Sequence, residues 1–176
     1  MDLPKIFAIG SMRKATILKK KSLHLDGARK YITILFSDIR GFTTMTENMS
    51  PEELVETLNS YLETMSPIIM QNEGYIDKYI GDAIMAFWNA PIDVLHHEEK
   101  AVLASLAMID ALKELQKKFP LEIGIGLHAG DAIVGNIGSR SKLNYTIIGD
   151  AVNACSRLEG LTKKYGLHII TSESIK

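Results

Sequence analysis

The spacing of hydrophobic positions changes several times along the chain, and each spacing predicts one secondary-structure element. Segment 31–36 alternates β-branched and aromatic residues, which predicts a buried strand that delivers Asp38 to its carboxyl end. Apolar residues at helical spacing follow and predict a long amphipathic helix that runs to about residue 71. Residues 50–53 (Ser-Pro-Glu-Glu) have the pattern of a capping box with proline in the first helical turn, so we expect the helix to begin there.

The middle of the chain predicts a hairpin and a second helix. Segments 74–80 and 83–88 are typical of two strands, and Gly81-Asp82 between them is a favoured pair for a tight turn. Apolar positions between about 97 and 118 again repeat at helical spacing, and Phe119-Pro120 is expected to end that helix.

Two further strands are predicted at 121–127 and 132–137, joined by a turn at Gly130-Asp131. The order strand, helix, hairpin, helix, strand predicts an α+β fold of the ferredoxin-like βαββαβ type. In that fold one antiparallel sheet carries helices packed on one face.

Composition describes an ordinary soluble domain. The chain has 176 residues, of which 46% are hydrophobic and 23% charged, and its net charge is −1. This balance disfavours nucleic acid as a partner. No apolar run reaches the roughly 18 residues that a membrane span needs. Cys155 is the single cysteine, so no intrachain disulfide is possible, and we expect a reduced, buried thiol in a cytoplasmic setting.

Charge divides the chain into two parts. The first 30 residues carry eight lysines or arginines and two aspartates. We therefore interpret residues 1–29 as a basic arm or linker and residues 30–176 as one domain. The arm could touch anionic lipid or connect to an upstream sensor or membrane module, and a solvated linker is the interpretation that such charge runs favour.

Two aspartates are the first candidates for chemistry. Asp38 follows a predicted strand and Asp82 lies at a predicted hairpin tip. Carboxylates that converge at a sheet edge repel each other unless a cation neutralises them, and hard oxygen ligands suit magnesium or manganese. The ordinary alternative is that each aspartate caps backbone amides in its turn.

Three segments together indicate a family. They are 36–43 (Phe-Ser-Asp-Ile-Arg-Gly-Phe-Thr), 78–88 (Lys-Tyr-Ile-Gly-Asp-Ala-Ile-Met-Ala-Phe-Trp) and 145–159, which begins Tyr-Thr-Ile-Ile-Gly-Asp-Ala-Val-Asn. In this order and spacing they resemble the catalytic domain of class III nucleotidyl cyclases. The resemblance covers about residues 30–176 and implies a polymerase-palm-like sheet that here lacks the family's last strand pair.

The resemblance implies two-metal catalysis. Asp38, the backbone carbonyl of Ile39, and Asp82 are expected to bind two divalent cations, Mg²⁺ or Mn²⁺. One ion would lower the pKa of the ribose 3′-hydroxyl of ATP, and the other would hold the triphosphate and neutralise the departing pyrophosphate. Backbone amides at the start of a helix are expected to receive phosphate oxygens, from the turn formed by Gly41, Phe42 and Thr43.

Base and transition-state contacts are also implied. Adenine offers an N1 acceptor and an N6 donor, which complement a donor at Lys78 and an acceptor at Thr146. These positions match the family's base-selecting pair, in which lysine with aspartate or threonine indicates ATP. Asn153 is expected to orient the ribose, and Arg157 to stabilise charge developing on the α-phosphate.

Ordinary structural roles remain open for all four residues. Lys78 could be a solvent-exposed strand lysine and Thr146 a routine strand residue. Asn153 and Arg157 could lie on a surface helix, with the arginine paired to Asp150 or Glu159.

The family places Lys78 and Asp82 in opposite active sites of a head-to-tail dimer. The resemblance therefore implies a homodimer in which the metal residues of one chain face the base and transition-state residues of the other, and an inactive monomer.

We interpret the chain as an adenylate cyclase catalytic domain and the signalling output module of a longer protein. It would be cytoplasmic, or the cytoplasmic part of a membrane-anchored parent. The main alternative is a cyclase-homology domain that binds ATP and dimerises without turnover. A diguanylate cyclase is disfavoured because its Gly-Gly-Asp/Glu-Glu-Phe signature is missing, and a polymerase palm because basic channels are missing.

Overall fold

The computed structural model describes residues 27–47, 49–139 and 141–175. Within those ranges the chain forms one sheet of six strands and four helices. Their order is β1 (Gly27–Ile39), α1 (Phe42–Thr46), α2 (Pro51–Gln71), β2 (Tyr75–Ile80), β3 (Ala83–Trp88), α3 (His97–Leu115), β4 (Ile123–Ser139), β5 (Lys142–Ile148), α4 (Asp150–Tyr165) and β6 (Ile169–Thr171). The predicted α+β class is confirmed.

The sheet has the strand order β2-β3-β1-β4-β5 with antiparallel neighbours, and β6 lies parallel to β4. The first four strands together with α2 and α3 form the predicted ferredoxin-like unit. Both helices pack on the same face of the sheet. The core there includes the fully buried residues Leu35, Met65, Trp88, Met108 and Ile125.

Helix α4 lies on the opposite face and completes a second core. Cys155 is buried there beside Ile34, Phe87 and Val134. Its thiol donates to the carbonyl oxygens of Ile34 at 3.1 Å and Gly126 at 3.2 Å. Burial raises the pKa of this thiol to about 12, so it stays protonated at neutral pH. The predicted burial of the cysteine is confirmed.

The local signals for α2 and for the β2–β3 turn are confirmed. The Ser50 hydroxyl accepts from the Glu53 amide at 3.2 Å, and the Glu53 carboxylate accepts from the Ser50 amide at 2.8 Å. Gly81 has a φ of 63°, a left-handed conformation that glycine adopts without a steric cost. The first feature fixes the start of α2, and the second forms the turn that carries Asp82.

The predicted turn at Gly130-Asp131 is wrong. Strand β4 continues through it, and these two residues pair with Ile32 and Tyr31 of β1. Strand β1 extends well beyond the predicted 31–36, so the long ladder between the two strands outweighs the local preference for a turn. The hairpin instead joins β4 to β5, whose last pair is Ser139 and Lys142.

Other boundaries differ by a few residues. Helix α3 ends at Leu115 rather than near residue 118. Strand β1 begins at Gly27, three residues before the predicted start of the domain, and the rest of the predicted basic arm, residues 1–26, lies outside the described residues. In the described ranges no helix combines the length and the apolar character that crossing a bilayer requires.

Candidate active site

The structure brings Asp38 and Asp82 together at one corner of the sheet. Asp38 is the last residue but one of β1, and Asp82 lies in the turn between β2 and β3. Pairing of β1 with β3 aligns Ser37 with Ile84 and so places the two carboxylates beside each other. One oxygen of Asp82 accepts a hydrogen bond from the Ile39 amide at 3.2 Å. The two predicted metal ligands therefore share one corner with Ile39.

Negative charge is concentrated at this corner. The pKa of Asp38 is raised to about 7, mainly by burial and then by the hydrogen bond and charge of Asp82 and the charge of Glu159. Burial also raises the pKa of Glu159, against the nearby positive charge of Arg40, which lowers it. Carboxylates held this close favour either a shared proton or a bound cation.

The donor set at the corner suits a divalent cation that arrives with a nucleotide. The described part of the chain has no cluster of three metal-ligating side chains, and this corner supplies two carboxylates. Magnesium is commonly held by one or two carboxylates together with substrate phosphates and water. The residues present therefore fit the predicted metal sites.

The segment after β1 turns sharply into α1. Gly41 has a φ of 65° and accepts the first helical hydrogen bond from the Met45 amide at 3.0 Å. Amides in the first turn of a helix have no intrahelical acceptor, which leaves those of Phe42 and Thr43 able to donate outward. No side chain in the described ranges caps this turn.

Arg40 ties the same turn to the main chain of neighbouring segments. Its amide donates to the Glu122 carbonyl at 2.7 Å, and its guanidinium donates to the carbonyls of Leu167 at 2.5 Å and Thr162 at 3.4 Å. The arginine is therefore bound to the protein's own backbone on the α4 side, which fixes where the turn begins.

Lys78 and Thr146 meet where the two edge strands β2 and β5 approach each other. The Lys78 ammonium donates to the Thr146 hydroxyl at 3.0 Å, and the rings of Tyr75 and Tyr145 meet edge to face at 5.7 Å. Thr146 is buried, whereas the Lys78 side chain is 41% exposed. Lys78 is thus held in a defined polar contact, unlike a freely solvated strand lysine.

Asp77 is a member of this group that the sequence analysis missed. The Thr146 hydroxyl donates to Asp77 at 2.6 Å, and the Asp77 side chain is only 1% exposed. Ile76 pairs with Ala86 and Lys78 pairs with Met85, so Asp77 is the extra residue of a β-bulge. Two consecutive polar residues between apolar pairs in the strand were the available signal.

Asn153 and Arg157 lie on the exposed face of α4, one helical turn apart as predicted. Asn153 and Gly149 line a shallow groove of about 260 Å³ at the start of the helix. Among the residues that the structure describes, no acidic side chain forms an ion pair with Arg157, and the positive charge that acts on Glu159 is that of Arg40. The alternative in which Arg157 is a paired surface residue is therefore not observed.

Comparison with known proteins identifies the family. The sequence model of the adenylate and guanylate cyclase catalytic domain matches residues 27–175. This chain belongs to that family. An adenylate cyclase from Anabaena cylindrica is 42% identical over 154 residues, which are 82% of this chain and 30% of that protein. The chain thus spans less than a third of the length of this curated relative.

Solved cyclase domains share the fold. The adenylyl cyclase CyaB from P. aeruginosa is 40% identical, with a TM-score of 0.74 over 77% of this chain and 74% of that chain. The guanylyl cyclase Cya2 is 39% identical, with a TM-score of 0.74 over 76% of this chain and 71% of that chain. An adenylyl and a guanylyl cyclase are therefore equally similar to this domain, and individual side chains must decide which base it accepts.

Proposed function

We propose that this chain is an adenylate cyclase catalytic domain that converts ATP to 3′,5′-cyclic AMP and pyrophosphate. Membership of the cyclase family supports the reaction type. The observation that carries the choice of ATP is the contact between Lys78 and Thr146, which presents a cationic donor beside a hydroxyl. In the reaction the ribose 3′-oxygen bonds to the α-phosphorus while the bond from that phosphorus to the bridging oxygen of pyrophosphate breaks.

Two divalent cations, Mg²⁺ or Mn²⁺, are the proposed cofactors. Asp38, Asp82 and the carbonyl of Ile39 would hold them, at the corner where the carboxylates already converge. When bound, the ions supply activation of the 3′-hydroxyl and neutralisation of the triphosphate charge. The protein's contribution is to hold the two carboxylates together on a rigid sheet, despite their repulsion.

Base recognition follows from hydrogen-bond polarity. Lys78 donates to N1 of adenine, and Thr146 accepts from the N6 amino group. Guanine would direct its N1–H at the ammonium and its O6 at the hydroxyl oxygen. A buried polar group without its partner weakens binding, so guanine is disfavoured.

The remaining proposed contacts position the sugar and phosphates. The amides of the turn at Gly41, Phe42 and Thr43 receive triphosphate oxygens. Asn153 orients the ribose, and Arg157 donates to the α-phosphate as negative charge develops on it in the transition state. Arg157 is exposed, and no ion pair to it occurs among the residues that the structure describes, which supports this role.

We place the complete active site between two copies of the chain. Within one chain, Asp82 contacts Ile39 while Lys78 contacts Thr146, so neighbouring residues of one hairpin serve two different groups. A head-to-tail homodimer would join the metal corner of one copy to the base and transition-state residues of the other. In this proposal the domain is the cytoplasmic output of a longer protein that carries a sensor or a membrane module.

Product formation tests the proposal. The chain is incubated with Mn²⁺ and either ATP or GTP, beside Asp38→Ala and the control Asp110→Ala, which changes an exposed carboxylate paired with Lys113. We expect cyclic AMP from ATP, little cyclic GMP from GTP, and loss of product in Asp38→Ala alone. ATP binding that depends on metal but yields no cyclic AMP would instead identify a nucleotide-binding, dimerising module.

A further inference from the structure

The hydroxyl of Thr146 poses a problem of selectivity. A threonine hydroxyl has one proton to donate and two lone pairs that accept, so it can rotate to suit either kind of partner. Left free, it could accept from the amino group of a 6-aminopurine or donate to the oxygen of a 6-oxopurine. Something must fix the direction of this proton if Thr146 is to discriminate between the two.

Asp77 accepts a hydrogen bond from that hydroxyl. The Thr146 hydroxyl donates to one Asp77 oxygen at 2.6 Å, while the Lys78 ammonium donates to the same hydroxyl at 3.0 Å. An ionised carboxylate has no proton to give, so the direction of the shorter hydrogen bond is set. Because its proton is used in the hydrogen bond to Asp77, the hydroxyl can offer only a lone pair to a further partner.

The surrounding structure holds the Asp77 side chain in a defined, buried position. Its side chain is 1% exposed, and the bulge in β2 turns both Asp77 and Lys78 toward Thr146. Its second oxygen lies 3.3 Å from the Lys78 ammonium, which balances the charge, but that contact lacks hydrogen-bond geometry. In the described ranges this buried oxygen has no hydrogen-bond partner, so the hydroxyl of Thr146 is the donor that Asp77 holds.

We propose that Asp77 is a specificity-determining positioning residue that makes Thr146 a hydrogen-bond acceptor and so selects 6-aminopurine over 6-oxopurine nucleotides. Asp77 acts through Thr146 and does not itself contact the base. The inference rests on the proposed function, because it assumes that Lys78 and Thr146 face the purine ring.

Asp77→Asn tests the proposal with little change of shape. The amide can donate to the threonine oxygen, which frees the hydroxyl proton to point at the base. We expect the ratio of kcat/KM for ATP to that for GTP to fall about tenfold, which is the usual effect of losing one well-matched hydrogen bond to the base. The control Asp110→Asn should leave the ratio unchanged. An unchanged ratio in a folded Asp77→Asn variant would overturn the proposal.

A second variant separates this role from a merely structural one. In a Thr146→Val background the hydroxyl is gone, so adding Asp77→Asn should leave the ATP-to-GTP ratio where Thr146→Val put it. If Asp77→Asn shifts the ratio equally with and without the hydroxyl, then Asp77 does not act through Thr146 and the proposal is wrong.

Binding measurements keep this inference separable from the proposed cyclase activity. Titration with 3′-deoxy-ATP and 3′-deoxy-GTP in Mn²⁺ gives dissociation constants without turnover, because these nucleotides lack the attacking hydroxyl. If the chain makes no cyclic AMP yet its preference for the adenine nucleotide falls in Asp77→Asn, the cyclase proposal fails and the Asp77 proposal stands. A chain that binds neither nucleotide contradicts both.

Discussion

The acidic corner at Asp38 and Asp82 shows how a candidate active site can weaken the protein that carries it. Without a cation, two carboxylates are held near each other and near Glu159, partly removed from water. Such an arrangement favours binding of a cation and lowers the stability of the protein without one. The same electrostatics makes the stability of the metal-free protein depend on pH.

The metal-free protein should lose stability as pH rises through the range set by Asp38. The pKa of Asp38 is about 7 in the folded chain, against an ordinary value of 3.8, so between these two pH values the folded state binds a proton that the unfolded state does not. The stability that this protonation contributes is therefore fully present below about pH 4 and is lost as pH rises through about 7. Asp38→Asn removes the titrating group, and we expect a flatter profile and a higher stability than wild type at pH 8.

Urea unfolding in EDTA at several values between pH 4 and 8 measures this difference. The Asp110→Asn variant, altered on an exposed helix surface, should follow the wild-type profile. Parallel profiles for wild type and Asp38→Asn would show that the corner is not strained by charge. Adding Mn²⁺ at pH 8 should stabilise wild type and leave Asp38→Asn nearly unaffected.

Helix α4 depends on glycine in the strand beneath it. A Cβ at Gly126 would lie 2.4 Å from the Glu159 nitrogen and 2.6 Å from the Cys155 oxygen, both backbone atoms that cannot move aside. A Cβ at Gly160, within α4 itself, would meet nothing within 4 Å. The two positions therefore form a matched pair for the same substitution.

Gly126→Ala should destabilise the fold by about 1–3 kcal/mol, because it forces α4 away from the sheet. Gly160→Ala should stabilise it by up to about 1 kcal/mol, because alanine is the better helix former. Thermal or urea unfolding measures both changes. Equal effects of the two substitutions would mean that α4 does not pack as closely on β4 as the structure has it.

Elements with strong local signals were predictable from the sequence. The capping box before α2 and the glycine turn before Asp82 depend on neighbouring residues alone. The turn expected at Gly130-Asp131 failed because pairing with the distant strand β1 decided the conformation. Asp77 was missed for a similar reason, since its bulge exists only in register with β3 and its partner Thr146 comes from β5.

The sheet as a unit separates the candidate site into two groups. The metal corner lies at the end of β1, and the base-contacting group lies between the edge strands β2 and β5. Each group is preorganised by its own hydrogen bonds, and in the proposed dimer a second copy of the chain brings the two groups around one nucleotide. A shared site of this kind makes a quantitative prediction for mixtures of inactive variants.

Mixing Asp82→Ala with Arg157→Ala is the measurement we would make first. Each variant alone should be inactive, because every site in its homodimer lacks one essential group. In an equal mixture half of the dimers are mixed, and each of these has one intact site out of two, so cyclic AMP formation from ATP should recover to about a quarter of the wild-type rate. No recovery beside an active wild type would contradict the shared site, and no cyclic AMP from wild type would contradict the cyclase itself.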